Sequence, residues 1–377
     1  MKVLFVLPDL SGGGAEKVTL SNIKALRNIG IESDLYVFCK AGDHLKLLEP
    51  DWKFFYTYED KLGKGYAFRV LRDIVVLSRN YDVIVAALEI KTFLFVALAK
   101  VFTGKKSLGW LHKNLRVYLG ITPWHKALPY RFLMRMSVAQ LDKIVCVSKG
   151  VYESLQNNLR IGSDKLITIY NPFSFEELQR KANYPLDSEL LRLYEKKVFI
   201  SVGRLTKQKN FLLLLDMHRL LLEKGLDHNL LILGEGEDRK MLEGYIHDQG
   251  IKDSVFMPGF VNPYPYIKNA DLFILTSIYE GLPTVLIEAM ILDTPICSVD
   301  CPSGPKEILD NGENGLLLPD ANRIDLNKAV ESIVNIFQSE GMLSAFHQKM
   351  EKKKPLFNEQ TIIAQWQILL KNITDYE

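Results

Sequence analysis

Short runs of consecutive apolar residues alternate along the chain with longer stretches whose apolar positions recur every three or four residues. The first run, 3–7, stops at Pro8-Asp9-Leu10-Ser11 and a triplet of glycines. Val18, Ala25, Leu26 and Ile29 then fall on one helical face. Further runs occupy 34–38, 83–88 and 143–147, with a short one at 167–169. They are apolar throughout, as strands covered on both faces must be. A second series follows at 197–203, 229–234, 254–257, 271–276, 295–299 and 315–318, again separated by helical stretches. Strand–helix alternation of this kind predicts parallel sheets flanked by helices. The expected architecture is α/β, with two doubly wound, Rossmann-like halves facing across a cleft. The halves are 1–172 and 173–356, with polar, helical 173–196 as a connection. In the tail, Ile362, Ile363, Trp366, Leu369 and Leu370 stand at helical spacing. A helix over about 357–377 is therefore expected to pack back on the first half.

Composition supports two sizeable cores: 377 residues, 47% hydrophobic and 24% charged. Cys39, Cys146, Cys297 and Cys301 have no paired spacing. That argues against a disulfide framework or a zinc site and for a reducing, cytoplasmic setting. The apolar start is shorter than a signal peptide requires, and the run 92–99, between Lys91 and Lys100, is too short to span a bilayer.

The formal net charge of +2 hides an asymmetry. Residues 1–172 hold 25 basic and 15 acidic side chains, whereas 173–377 hold 22 and 30. Between Ile90 and Leu141 stand Lys91, Lys100, Lys105, Lys106, Lys113, Arg116, Lys126, Arg131 and Arg135, with no acidic residue. A single-sign block attracts anions: nucleic acid, anionic lipid or a phosphorylated substrate. No helix-turn-helix, zinc-finger or RNA-recognition pattern accompanies it, which argues against nucleic acid.

Four motifs carry candidate chemistry. In Ser277-Ile278-Tyr279-Glu280-Gly281-Leu282-Pro283-Thr284-Val285-Leu286-Ile287-Glu288, two carboxylates are eight residues apart across a strand-to-helix loop. Pro283 suits a first helical turn, and the amides of Gly281–Thr284 at that helix start favour a phosphate or sugar oxygen. In Gly203-Arg204-Leu205-Thr206-Lys207-Gln208-Lys209, Arg204 and Lys209 can straddle a diphosphate, and Gly203 lets backbone approach a ligand. Gly234-Glu235-Gly236 ends a strand in a small turn. The fourth motif is Cys301-Pro302-Ser303-Gly304-Pro305-Lys306-Glu307-Ile308, followed by Asn311-Gly312 and Asn314-Gly315. Taken singly, each also reads as an ordinary solvent-facing loop.

In this order and at these separations the motifs resemble the family-4 retaining glycosyltransferases of GT-B architecture, over residues 197–320. The first half is similar more loosely, through Gly12-Gly13-Gly14-Ala15 and Val147-Ser148-Lys149. The resemblance implies a metal-independent hexosyltransferase with no cofactor beyond its nucleotide-sugar donor, UDP-linked rather than GDP-linked. It implies that Arg204 and Lys209 neutralise the donor diphosphate, that Glu288 holds the ribose and that Glu280 meets the transferred sugar. Gly203, Gly234 and the Gly281, Leu282, Pro283 and Thr284 segment would line the donor, with Gly13 and Gly14 closing from the first half. His112, at a strand end, would face the reaction centre and position or handle a proton. A same-face reaction, with the leaving phosphate helping to deprotonate the acceptor hydroxyl, fits the family better than double displacement.

The wording around Glu280 is similar to bacterial transferases that assemble cell-surface glycans. The expected acceptor is a glycan, polyprenyl-diphosphate-linked, reached from the inner face of the plasma membrane. Residues 116–136 mix Arg116, Lys126, Arg131 and Arg135 with Tyr118, Trp124, Phe132, Leu133 and Met136. That mixture predicts a peripheral contact with an anionic membrane surface. The alternative is that these apolar residues pack inside the first half. Rival functions are a sugar-nucleotide epimerase of the same architecture and a non-enzymatic basic binding protein.

Overall fold

The computed structural model describes residues 1–11, 14–88, 90–339 and 341–374. The chain divides into two compact units. One is Met1–Pro172 with the C-terminal helix Glu359–Thr374, and the other is Phe173–Asn358.

In the first unit, strands β1 (Lys2–Leu7), β2 (Glu32–Cys39), β3 (Phe54–Tyr58), β4 (Val83–Leu88), β5 (Lys106–Leu111), β6 (Lys143–Cys146) and β7 (Leu166–Thr168) form one sheet in the order 3-2-1-4-5-6-7. Every pairing is parallel. β1 and β4 are almost wholly buried, which accounts for their continuous apolar reading; β5 is buried as deeply, but Ser107 and Gly109 interrupt its apolar run. β3 has no counterpart among the expected strands. It is an edge strand of half-exposed aromatics, so it lacks the aliphatic run of a strand covered on both faces. Ile29 also departs from expectation: it is exposed and lies beyond the helix Gly14–Asn28. Left-handed Gly30 ends that helix, and the Ile31 N–H returns to the Leu26 carbonyl at 3.0 Å. The C-terminal helix is anchored by Trp366, whose ring centroid lies 4.9 Å from Trp110 and 6.3 Å from Phe5.

In the second unit, β8 (Lys197–Val202), β9 (His228–Leu233), β10 (Val255–Gly259), β11 (Leu272–Leu275), β12 (Ile296–Val299) and β13 (Leu316–Leu318) form a parallel sheet in the order 10-9-8-11-12-13. Its core includes Phe199, Leu214, Leu215, Leu230, Ile232 and Leu272. The stretch 173–196 is more than a connection. Ser174 caps the helix Phe175–Ala182, which buries Leu178 and Ala182. Gln179 Nε2 donates to the Ile291 carbonyl at 3.2 Å, so the segment is packed within this unit.

In both sheets the strand order reverses beside the first strand, at β1/β4 and at β8/β11. Loops leaving the carboxyl ends of the two central strands diverge at such a point and open a crevice where ligands bind.

Candidate active site

The reversal in the second unit brings the two strongest motifs side by side. The loop after β8 carries Gly203 to Asn210, and the loop after β11 carries Thr276 to Pro283. Three bonds lace them. Ile278 N–H donates to the Gln208 carbonyl at 2.8 Å, Gln208 Nε2 to the Tyr279 carbonyl at 2.9 Å, and Thr276 Oγ1 to the Lys209 carbonyl at 3.1 Å. Lys209 and Glu280 thereby meet: Nζ lies 2.7 Å from Oε1, with side chains only 17% and 10% exposed. Ser277 Oγ donates to the same oxygen at 2.7 Å. The two cations singled out in the first loop, Arg204 and Lys209, thus differ in setting. Arg204 is exposed, while Lys209 is committed to a carboxylate.

The glycines of this region make room for protein rather than lying open. A Cβ on Gly203 would meet the Lys209 stem at 3.1 Å. One on Gly234 would lie 2.0 Å from the Gly203 carbonyl oxygen, and one on Gly236 2.2 Å from that of Leu205. Gly234 also has φ +139, a backbone that only glycine adopts at ease. The loops after β8 and β9 are therefore packed backbone to backbone, joined by Leu205 N–H to the Glu235 carbonyl at 2.9 Å.

Gly281, Leu282 and Pro283 lead into the helix Thr284–Ile291, with Leu282 and Pro283 buried and Gly281 and Thr284 half-buried. Glu288 lies on this helix, and the Tyr264 hydroxyl donates to its Oε1 at 3.4 Å. Burial, and then the Glu288 carboxylate, push the Tyr264 phenol far above its ordinary range, so it is a dependable donor. Ser277, Gln208 and Tyr264 received no role from the sequence. Ser277 stood inside the quoted motif, but Tyr264 carried no signal, because its place beside Glu288 exists only in the folded chain.

In the first unit, His112 follows β5 against Trp110, at a ring-centroid distance of 4.6 Å. Its Nε2 is buried with no hydrogen-bond partner among the described residues. Burial, with the charge of Lys113 second, pushes the imidazole down to about 3, so it is neutral near pH 7. A neutral ring can accept a proton or donate a hydrogen bond. Gly14 opens its helix, and among the described residues nothing lies within 4 Å of a would-be Cβ there. Gly13 lies outside the described residues.

The stretch 116–136 spans two helices, Leu115–Ile121 and Trp124–Gln140, tied by the Tyr118 and Tyr130 rings at 4.6 Å. The longer helix buries only Met134, Ser137 and Val138. Trp124, Leu128, Phe132 and Met136, four residues apart, are 80%, 66%, 64% and 51% exposed. Packing of this stripe inside the first unit is thus overturned. Arg131 and Arg135 are exposed on the same helix.

Among the described residues, Asp293, His347 and Glu351 have metal-ligand spacing, and all are exposed. The Lys354 ammonium bonds both carboxylates, so a cation already sits between them. Also among the described residues, no helix is long and apolar enough to cross a membrane.

Two Rossmann-like units, each with its order reversal beside the first strand, define the GT-B class of nucleotide-sugar enzymes. The structure of Anabaena HepE in complex with UDP superposes with a TM-score of 0.79 at 21% identity, covering 99% of this chain and 100% of that one. The pattern of the family "Glycosyltransferase Family 4" matches residues 12–177, and that of "Glycosyl transferases group 1" matches 187–349. The chain belongs to the family-4 glycosyltransferases. A Campylobacter jejuni N-acetylgalactosamine-N,N'-diacetylbacillosaminyl-diphospho-undecaprenol 4-alpha-N-acetylgalactosaminyltransferase is 26% identical, over 93% of this chain and 94% of its own. The Escherichia coli lipopolysaccharide 1,6-galactosyltransferase is 28% identical over 84% of each.

Proposed function

We propose that this glycosyltransferase moves a hexose or N-acetylhexosamine from a UDP-sugar, with retention, to a lipid-linked glycan in cell-surface glycan assembly. The carrying observation is the pair of laced loops at the strand-order reversal of the second unit, where Lys209 fixes Glu280 and Arg204 stays exposed. The UDP bound to HepE supports the nucleotide, and the named reactions of the Campylobacter and Escherichia relatives support the acceptor class.

In this reading Arg204 neutralises the diphosphate as charge develops on the leaving group. Lys209, which has donors beyond the one given to Glu280, contributes from the same side. Glu280 meets the sugar hydroxyls, and Glu288, steadied by Tyr264, meets the ribose. Amides at the start of the helix Thr284–Ile291 add partial positive charge, so cationic side chains and the helix end take the part of a divalent ion. Neutral His112 orients the acceptor hydroxyl. The leaving phosphate takes that hydroxyl's proton as the new glycosidic bond forms on the face the nucleotide leaves.

The exposed stripe Trp124–Leu128–Phe132–Met136 with Arg131 and Arg135 favours peripheral attachment to anionic lipid at the inner face of the plasma membrane. Each cation near such a surface is worth about 1 kcal/mol. The protein is expected to co-sediment with anionic vesicles, and replacing Arg131 and Arg135 by Glu should reduce that binding without changing stability. Absence of co-sedimentation at low salt would refute the attachment.

A radiolabelled panel of UDP-sugars with lipid extracts tests the reaction itself. Label should enter the lipid fraction, with excess EDTA present, and product NMR should show the donor's anomeric configuration. Arg204→Ala should cut kcat/KM by about 2–4 kcal/mol in transition-state terms. Label found only in an isomerised UDP-sugar would establish an epimerase instead.

A further inference from the structure

Resting on the reading of Glu280 as the residue that meets the donor sugar, we propose that Ser277 and Ser303 are positioning residues for that carboxylate. Neither has a role in the reaction as described so far. Ser303 also gives one to the motif Cys301-Pro302-Ser303-Gly304, which the donor reading leaves unused.

Glu280 is nearly buried, and a carboxylate there must be tethered by donors. Two converge on a single oxygen: Ser277 Oγ and Lys209 Nζ each lie 2.7 Å from Oε1. Two donors from different directions on one oxygen fix the rotation of the whole group and leave Oε2 outside both bonds. Ser277 is fully buried on the loop leaving β11, so it has little freedom to release its partner.

The backbone is fixed separately, from the segment that follows β12. Glu280 N–H donates to the Pro302 carbonyl at 2.6 Å, and Ser303 N–H donates back to the Glu280 carbonyl at 2.9 Å. Ser303 Oγ then donates to the Gly281 carbonyl at 2.9 Å. The next residue shows how closely the two segments approach. A Cβ on Gly304 would lie 2.3 Å from Pro283 Cδ and 3.3 Å from Leu282 Cα. Glycine at 304 therefore lets the 301–304 segment lie against the 280–283 loop while Ser303 reaches it. One serine sets the side chain and the other sets the main chain that carries it. A group that discriminates sugar hydroxyls by position needs both, because a displacement of about 1 Å costs on the order of a hundredfold in rate.

The test is a double-mutant cycle on the full-length enzyme, with the UDP-sugar that the transfer panel selects. Ser277→Ala should lower kcat/KM about tenfold, as loss of one bond to a charged group does. The Kd of UDP alone, measured by calorimetry, should stay within about twofold, since the nucleotide lies outside this contact. In a Glu280→Ala background the Ser277→Ala change should cost nothing further, because its target is gone. Ser303→Ala should lower kcat/KM and Ser303→Thr, which keeps the hydroxyl, should restore it. Should Ser277→Ala fail to fold, Ser277→Cys, close in volume with a weak donor, carries the same cycle. An equal loss from Ser277→Ala in both backgrounds would mean a structural role and overturn the proposal. A Glu280→Ala enzyme with unchanged kcat/KM would instead overturn the donor reading on which it rests.

Discussion

Lys209→Ala should weaken folding as well as turnover, and the pair at 2.7 Å says by how much. At an effective dielectric of about 20 the gross attraction at that distance is about 6 kcal/mol. Desolvation of both groups removes most of this from the net value, but deleting one partner leaves the other buried and uncompensated. Such deletions cost about 3–5 kcal/mol at full burial. Here the Glu280 side chain keeps Ser277 and some contact with water, so about 2–3 kcal/mol is expected. Urea unfolding followed by tryptophan fluorescence and circular dichroism reads it. Arg204→Ala is the control: its side chain is exposed, and its loss should change stability by less than about 0.5 kcal/mol. Adding Glu280→Ala to Lys209→Ala should return part of the lost stability, because the stranded charge is removed with its partner. If Lys209→Ala unfolds at the wild-type urea concentration, or the double variant is less stable than the single one, the pair does not hold these loops together.

Stability should also fall on acidification. His218 and His228 are buried side by side, with Nδ1 of the first 2.8 Å from Nε2 of the second. His228 Nδ1 donates to the Leu226 carbonyl at 2.8 Å, so its Nε2 accepts from His218, whose Nε2 takes the Ser254 hydroxyl. Both rings are satisfied when neutral. Burial first, and then the charge of its partner, push His218 down to about 3, and burial lowers His228. The unfolded chain binds protons from about pH 6.5 downward while the folded one does not, so stability rises with pH across that window. For His218 alone the loss between about pH 7 and pH 5 is on the order of 2 kcal/mol. Urea midpoints that stay flat over this range would contradict neutral burial. Gly234→Ala should be severely destabilising or insoluble, since its Cβ would fall 2.0 Å from a backbone oxygen at φ +139; a wild-type melting temperature would show that the loop can rearrange.

The apolar runs of the chain dictated most of the strands, because a strand covered on both faces excludes polar side chains and so writes itself into the sequence. Edge strand β3, half exposed, left no such record. The motif spacing marked Arg204, Lys209, Glu280 and Glu288, since chemistry-bearing residues sit on the loops and helix starts that follow the strands of a parallel sheet. Only the tertiary structure decided how they are used. Lys209 and Glu280 are 71 residues apart in the chain. They meet because β8 and β11 are neighbours, and adjacency between strands is a property of the sheet rather than of either segment. Tyr264 beside Glu288 and Ser303 beside Glu280 have the same origin. So does the exposure of Trp124 and Phe132: a helix's own sequence lists its apolar residues, but the packing of its neighbours determines which of them remain uncovered.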